Sequence, residues 1–312
     1  MHETIAVLEK AFKEQASGQT IAPLRSAIHV TKDDWIGIMP AYLRGLQAFS
    51  TKIVSVYNTN PGRNLPTIMG TIVLNDPETG ETLSVMDGSF ITAMRTGGLS
   101  GLAAKYLSRK DSHSVGIFGA GVQGRTHLVA LKEVRDITTA KVYDPMADRA
   151  KTYSQEMSKK LQIPVEVAQS PSDAVNESDI IVTVSTSKEP LFDGRIIRPG
   201  THVNAFGNSN PSERELDNET IRRSKVTVDS REAALLEAGD LIMAIKDGVI
   251  TTDHILADLG EIVVGSKPGR SSVSDITLFK SVGIGIQDCA AASLAYKKAV
   301  EKGVGTSADL LR

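Results

Sequence analysis

Three glycines and one aspartate near the middle of the chain have the spacing of a phosphate-binding turn. Gly119, Gly121 and Gly124 form a G-x-G-x-x-G pattern directly after an apolar run that begins at Val115. In such a turn the first glycine allows a tight bend, the second lets backbone N–H groups approach a pyrophosphate, and the third lets a helix lie close to the strand. Asp144 follows about 20 residues later, where a carboxylate accepts hydrogen bonds from a ribose. We therefore predict a dinucleotide site.

Neighbouring residues are further candidates for the same site. Val122 and Gln123 lie inside the turn, and Gln123 could face a nicotinamide or be an ordinary polar turn residue. Hydroxyl side chains end the fourth strand of the predicted sheet, where the switch-point rule places the cofactor crevice. These residues are Thr183, Ser185 and Thr186, and ordinary strand-end hydroxyls are an equally good interpretation.

The residue type at position 144 bears on the choice of nucleotide. A carboxylate there would repel a 2′-phosphate, so we expect NAD rather than NADP. Arg149 is close enough in sequence to weaken that preference. The cofactor prediction is therefore NAD, with NADP as the less favoured alternative.

The net charge, the motifs and the apolar runs of the sequence argue against several other functions. The net charge of −2 gives no basic excess for a nucleic acid, and the six histidines lack metal-ligand spacing. No G-x-S-x-G pattern is present, and no apolar run reaches the ~18 residues that span a bilayer. Cys289 is the single cysteine, so no internal disulfide forms, which fits a cytoplasmic setting. We expect no metal, no nucleic acid and no membrane as partners.

The elements that must position these residues fall into two groups. From about residue 113 to 285, short apolar runs alternate with helix-length segments, which is typical of a parallel sheet built from βαβ units. The runs cover residues 115–118, 141–144, 165–168, 180–185, 202–206 and 226–229. We expect this sheet to be complete by Asp229.

The residues before this region predict a different architecture. An amphipathic helix opens the chain, and strand-like runs at 52–57, 68–74 and 82–86 form a meander before a helix at 89–107. The predicted fold is thus α/β, with a Rossmann-type doubly wound parallel sheet at 113–286 and an α+β domain with antiparallel strands at 1–112. The helix at 287–312 is expected to pack back on the first domain. The apolar meander also predicts a homodimer through that domain.

Several segments outside the glycine turn resemble the ornithine cyclodeaminase/mu-crystallin family. They include MPAY at 39–42, MDGSFITAMRTGG at 86–98, GAGVQGRTHL at 119–128, NPSERELD at 210–217 and DITLFKSVGIGIQD at 275–288. The resemblance runs through nearly the whole chain in the same order. It implies hydride transfer between a nicotinamide and the α-carbon of an amino acid or its imine. It also implies a homodimer whose N-terminal domain supplies the substrate pocket.

The resemblance assigns roles to charged residues that the sequence alone would place at the surface. Arg25, Lys52 and Arg95 would bind the substrate carboxylate, and Lys52 is the better candidate for proton transfer because a lysine pKa falls in a cationic pocket. Thr67 is a weaker candidate for substrate contact. The resemblance also adds two residues to the cofactor set, Thr96 and Ser281.

Two positions depart from the cyclodeaminase pattern. A glutamate expected two residues before the Met-Pro pair is replaced by Gly37, and an aspartate expected before the Pro of NPSERELD is replaced by Ser209. Ser209 is kept as a candidate catalytic position, although serine is a poor base at neutral pH. We expect an NAD-dependent oxidoreductase that interconverts a small α-amino acid and its imino or keto acid. The alternatives are an ornithine cyclodeaminase and a nucleotide-dependent ligand-binding protein without turnover.

Overall fold

The computed structural model describes residues 1–32, 34–207 and 209–308, and its chain divides into two compact units. The first unit comprises residues 1–18 and 93–284, and the second comprises residues 19–92 together with the chain from 285 onward. This division differs from the expected boundary at residue 112. Each unit has its own sheet, and the two are described separately.

Among the described residues, the first and last regular elements are helices, and strands and further helices lie between them. The helices are α1 (His2–Ala16), α2 (Gly88–Leu107), α3 (Val122–Val134), α4 (Ala147–Leu161), α5 (Pro171–Val175), α6 (Asn218–Arg223), α7 (Arg231–Glu237), α8 (Gly239–Lys246), α9 (Leu259–Val263) and α10 (Gly285–Lys302). The strands are β1 (Thr20–Ile21), β2 (Ser26–His29), β3 (Trp35–Leu43), β4 (Ala48–Val56), β5 (Ile68–Asn75), β6 (Thr82–Asp87), β7 (Ser114–Phe118), β8 (Thr139–Tyr143), β9 (Val165–Val167), β10 (Ile180–Thr183), β11 (His202–Ala205), β12 (Ser224–Val228), β13 (Ile255–Asp258) and β14 (Ile276–Lys280). Short 3₁₀ helices cover Asn60–Arg63, Gly194–Ile196 and Thr252–His254. Within the described residues, no helix is both long and apolar enough to cross a membrane.

The second unit is an antiparallel sheet with α10 packed on one face. Its strand order is β1-β3-β4-β5-β6, and β2 pairs with β3. Ile72 and Leu74 of β5 form a core with Ile91, Ala291 and Ala292. The sequence predicted β4, β5 and β6 but missed β1, β2 and β3.

The two faces of this sheet differ in burial. Met39, Lys52 and Ile72 are buried and lie in register on neighbouring strands, so they share the face that α10 covers. On the opposite face, Ile38 and Ile53 are partners in the ladder and are 38% and 45% exposed. That second face is therefore apolar and open in the single chain.

The first unit is built on a parallel sheet with the strand order β13-β12-β14-β11-β10-β7-β8-β9. Strands β8 and β9 extend to one side of β7, whereas β10 and β11 extend to the other, so the order reverses at the β7–β10 pair. The predicted fold class, a Rossmann-type parallel sheet plus an α+β unit with antiparallel strands, is confirmed. The expectation that the sheet is complete by Asp229 is wrong, because β14 pairs with both β11 and β12, and β13 follows at the edge.

Close packing explains why α1 and most of α2 belong to the parallel-sheet unit. A β-carbon at Gly98 of α2 would lie 3.0 Å from Thr4 and 3.1 Å from Leu8 of α1. A β-carbon at Gly260 of α9 would lie 2.6 Å from the carbonyl oxygen of Phe12. The small residues let these helices approach each other, and sequence periodicity carries no information about such contacts.

Candidate active site

The glycine turn connects β7 to α3 at the point where the strand order reverses. Gly119 has a φ of +113°, which favours glycine, and a β-carbon there would lie 2.7 Å from the Val184 carbonyl oxygen. A β-carbon at Gly124 would collide with the Gly119 carbonyl oxygen. In contrast, no atom lies within 4 Å of the same position on Gly121. The outer glycines are thus needed for packing, and the middle one faces open space.

The start of α3 offers unsatisfied polar groups beside that space. Its N-cap is Gly121, and no side chain caps the helix. The first N–H groups of a helix lack intrahelical partners and carry partial positive charge, so they can receive an anion. Gln123 Oε1 is buried without a hydrogen-bond partner, and Val122 is 65% exposed. These observations fit a bound pyrophosphate and a polar group near Gln123.

Asp144 lies just beyond the end of β8 and is hydrogen-bonded to the glycine turn. Its Oδ2 accepts from the Ala120 N–H at 2.9 Å, and its Oδ1 accepts from the Met146 N–H at 2.9 Å. A carboxylate has about four lone-pair positions, so it retains acceptor capacity for hydroxyl groups. Arg149 is exposed near the start of α4. Asp144 therefore orders the turn and can also bind a ribose.

The loop after β10 is held by a buried carboxylate that the sequence analysis did not assign. Glu215 Oε1 accepts from the N–H of Ser185 at 2.7 Å and from its hydroxyl at 2.6 Å, and Glu215 Oε2 accepts from the Gly207 N–H at 3.0 Å. Burial raises the pKa of the Glu215 carboxyl, and the charge of Lys280 opposes that rise. Thr183 is fully buried at the end of β10, and Thr186 is exposed in the following loop.

The loop after β14 is held in the same manner by Asp229. Asp229 Oδ2 accepts from the Ser281 hydroxyl at 2.7 Å, from the Val282 N–H and from the Gly283 N–H. The guanidinium of Arg95 packs against Gly283, since a β-carbon there would lie 3.2 Å from its Nη1. Arg95 is 6% exposed and therefore is not the surface charge that its residue type alone would suggest. Thr96, the next residue of α2, is also buried.

In the second unit, Lys52 and Asp288 form a buried ion pair. The Lys52 Nζ lies 2.6 Å from Asp288 Oδ2, and the two side chains are 2% and 0% exposed. Lys52 is on the face of β4 that α10 covers, and Asp288 lies in the first turn of α10. Two charges are kept in such a place only when they are paired. The sequence analysis missed Asp288, although an acidic residue in an alanine-rich apolar helix is a detectable signal.

Arg25 lies close to the position where the cyclodeaminase pattern has a glutamate. Its guanidinium carbon lies 5.1 Å from the centre of the Trp35 ring, in cation–π geometry. Gly37 is buried beneath both, and a β-carbon there would lie 2.8 Å from Trp35 and 3.0 Å from Arg25. A glutamate at position 37 would therefore displace these two side chains. Thr67 is half-buried, and its carbonyl oxygen accepts from the Tyr57 N–H at 2.8 Å.

The predicted residues thus divide between the two units. The first unit contains the predicted cofactor residues together with Arg95 and Ser209, and the second contains Arg25, Lys52 and Thr67. Ser209 is half-buried in the segment after β11. Asn208, beside it, is outside the described residues. No group of three or more His, Cys, Asp or Glu side chains within the described part of the chain could hold a metal ion.

Known proteins resemble this chain over its whole length. The profile of the ornithine cyclodeaminase/mu-crystallin family matches residues 1–303. The Delta(1)-pyrroline-2-carboxylate reductase of Bacillus cereus is 39% identical over 311 residues, which is 99% of this chain and 95% of the relative.

Solved structures agree with that similarity. The Thermococcus litoralis Delta(1)-pyrroline-2-carboxylate reductase, in complex with NADH and L-proline, is 50% identical, with a TM-score of 0.97 over 99% of this chain and 96% of the other. An archaeal alanine dehydrogenase dimer with bound NAD is 36% identical, with a TM-score of 0.94 over 100% of this chain and 95% of the other. The chain therefore belongs to the ornithine cyclodeaminase/mu-crystallin family.

Proposed function

We propose that this protein is an NADH-dependent imine reductase that reduces a small cyclic α-imino acid, with pyrroline-2-carboxylate and its product proline as the leading pair. The observation that carries the proposal is the 50% identity to a pyrroline-2-carboxylate reductase in complex with NADH and L-proline. In this proposal the glycine turn binds the cofactor that supplies the hydride, and the buried Lys52–Asp288 pair contains the lysine that supplies the proton. Reductive amination of pyruvate to alanine is the second candidate, favoured by the 36% identity to an alanine dehydrogenase.

The cofactor would be held by the first unit. The start of α3 would receive the pyrophosphate, Asp144 the adenosine ribose hydroxyls, and Gln123 a group at the nicotinamide end. Bound there, the reduced nicotinamide supplies the hydride for the α-carbon. Strands β7, β10, β11 and β14 are parallel, so the loops after β10, β11 and β14 begin at the same edge of the sheet as the glycine turn. These loops would therefore lie beside the cofactor.

The substrate would be held by cationic side chains. Arg25 and Arg95 are suited to bidentate binding of the carboxylate, because a guanidinium presents two parallel N–H donors. Lys52 would stabilise the carboxylate and place a proton at the imine nitrogen, which must be protonated when the α-carbon accepts hydride. Asp288 would keep Lys52 at the position from which it acts, since the two are in contact at 2.6 Å.

Two features disfavour the cyclodeaminase alternative. Cyclisation of ornithine needs a group that holds and deprotonates the δ-amine, and Gly37 and Ser209 stand where the family pattern supplies carboxylates for it. The space above Gly37 is taken by Trp35 and Arg25. Imine reduction involves no second amine, so these departures do not impair it.

We also propose a homodimer through the open face of the antiparallel sheet. That face presents partly exposed apolar side chains from neighbouring strands. An exposed apolar area of this kind marks an interaction surface. They include Ile28, Ile38, Ile53 and Val85. The alanine dehydrogenase with similar structure is a dimer. Ile53→Glu should yield a monomer by light scattering at micromolar concentration, with the fold retained by circular dichroism, and a monomeric unmodified protein would contradict the proposal.

A substrate panel followed by NADH absorbance tests the function. With pyrroline-2-carboxylate as substrate, NADH should be consumed and proline formed. The rate of NADH consumption should be higher than with pyruvate and ammonia. Formation of proline from L-ornithine with catalytic NAD and no net change in NADH would instead support the cyclodeaminase alternative. NADH binding without turnover on any imine in the panel would support a ligand-binding role.

A further inference from the structure

The first unit buries two carboxylates and one ammonium at the edge of the parallel sheet where the glycine turn lies. Glu215, Asp240 and Lys280 are each no more than 1% exposed. The Lys280 Nζ lies 2.6 Å from Asp240 Oδ2, so that pair is neutral and Glu215 is left as the additional acidic group. Burial disfavours a charged carboxylate, and such a group is retained only where its hydrogen bonds compensate.

The hydrogen bonds of Glu215 join two loops. Its Oε1 accepts from the N–H and the hydroxyl of Ser185, two residues beyond β10, and its Oε2 accepts from the N–H of Gly207, two residues beyond β11. Strands β10 and β11 are parallel neighbours, so both loops leave the same edge of the sheet. The Ser185 N–H, the Ser185 hydroxyl and the Gly207 N–H all donate, so both carboxyl oxygens of Glu215 act as acceptors.

The rest of the cluster fixes Glu215 itself. Asp240 Oδ1 accepts from the backbone N–H groups of Glu215 and Leu216, at 2.8 Å and 2.9 Å. Lys280, which ends β14, holds the other oxygen of Asp240. Gly207 has no room for a side chain, because a β-carbon there would collide with the Glu215 carboxylate. Asp240 therefore fixes the backbone of Glu215, and Gly207 packs closely against the Glu215 carboxylate.

We propose that Glu215 is a positioning residue for the dinucleotide: it fixes the loops after β10 and β11 in the conformation that receives NADH. The proposal rests on the proposed function only for the identity of the cofactor. In doubly wound sheets the ligand lies outside the carboxyl ends of the strands beside the switch point, and the loop after β10 is adjacent to that point in this protein. The hydrogen bonds from Ser185 and Gly207 tie Glu215 to the two loops, so its effect on the cofactor passes through these residues.

The test is NADH binding by fluorescence titration without substrate, on the unmodified protein and on Glu215→Gln. The amide keeps the volume of the carboxylate but puts an NH₂ group opposite one of the backbone N–H donors, so one loop loses its contact. The Kd for NADH should rise about ten-fold or more, as expected for losing a hydrogen bond to a charged group. In turnover, the KM for NADH should rise by a similar factor, and kcat at saturating NADH should change less.

Asp179→Asn is the matched control. Asp179 is also buried and accepts from His113 N–H, from Ser114 and from Arg109, but it lies at the amino end of β10, away from the glycine turn. This variant should lower the urea midpoint and leave the Kd for NADH unchanged. If Glu215 contributed only to overall stability, the Kd for NADH would rise equally in both variants or would change in neither variant. Either result would overturn the proposal.

Gly207→Ala perturbs the same contact from the other side and decides the outcome if Glu215→Gln does not fold. The added methyl group should push the carboxylate off its donors and raise the Kd for NADH. The double variant should be no worse than the more severe single variant, because both remove one interaction. Unchanged NADH binding in Gly207→Ala would overturn the proposal. If the unmodified protein itself fails to bind NADH, the proposed cofactor is wrong, and the role of Glu215 is overturned with it.

Discussion

Replacing Lys52 should show whether this residue serves only the stability of the second unit or also takes part in catalysis. Lys52 and Asp288 are in contact at 2.6 Å and are almost fully buried. Lys52→Met removes the ammonium that faces the buried Asp288 carboxylate, and breaking a buried ion pair in this way should cost about 3–5 kcal/mol of unfolding free energy. Lys52→Met combined with Asp288→Asn leaves neither charge in place. The double variant should therefore recover most of the lost stability.

Activity should not recover with it. If Lys52 stabilises the substrate carboxylate and supplies the proton, losing it removes roughly 2–4 kcal/mol of transition-state stabilisation, or about 10²–10³ in rate. Both variants should show this loss in the reduction of pyrroline-2-carboxylate. NADH binding should be unchanged in both, because the glycine turn belongs to the other unit.

Three measurements decide the matter: the urea midpoint, the Kd for NADH and kcat/KM for the imine. A double variant with restored stability and normal turnover would show that Lys52 is only structural. A single variant as stable as the unmodified protein would refute the magnitude assigned to the buried pair. Loss of NADH binding in both variants would show that the substitutions damage more than the ion pair.

The remaining predictions concern the cofactor, acid stability and ornithine. NADH should bind about ten-fold more tightly than NADPH, and Asp144→Ser should reduce that ratio in calorimetric titrations, whereas a preference for NADPH would contradict the role of Asp144. Burial lowers the pKa of His127 to about 3 from its ordinary 6.5, so the unfolded chain binds more protons between these values and stability falls as the pH drops below about 6.5. At pH 5 the loss from this side chain should be about 2 kcal/mol, and His127→Phe should flatten the dependence of the urea midpoint on pH, while an unchanged slope would contradict it. L-Ornithine with catalytic NAD should give negligible proline by chromatography, because Gly37 and Ser209 supply no carboxylate, and rapid proline formation would reverse that conclusion.

The glycine turn could be predicted from the sequence because its geometry depends on local spacing. Gly119, Gly121 and Gly124 specify a turn within six residues, and that turn lies at the reversal of the strand order. Strand β14 was missed because the sheet was expected to be complete by Asp229, and its final residue, Lys280, is of a type that is mostly found at the surface. Its burial depends on Asp240, which is far away in sequence.

The same limit applies to the carboxylates of the candidate site. Asp288 and Glu215 are ordinary acidic residues by type, and only the fold shows that each is enclosed and bonded to a distant partner. The family resemblance covered both segments and assigned neither residue a role. Turn geometry and apolar periodicity could therefore be predicted from the sequence, whereas charge pairs between residues far apart in the sequence could not.

Alternate residues of strand β4 lie on the two different faces of the antiparallel sheet. Lys52 lies on the covered face, and its neighbour Ile53 lies on the open face, because successive side chains of a strand point to opposite sides. Nine consecutive partners between β3 and β4, from Trp35↔Val56 to Leu43↔Ala48, fix this arrangement. A shift of the pairing by one residue would expose the lysine and bury the isoleucine. Substitutions at odd positions of β4 therefore alter the open face and those at even positions the covered face, whereas a one-residue shift of the pairing would exchange the two faces at once.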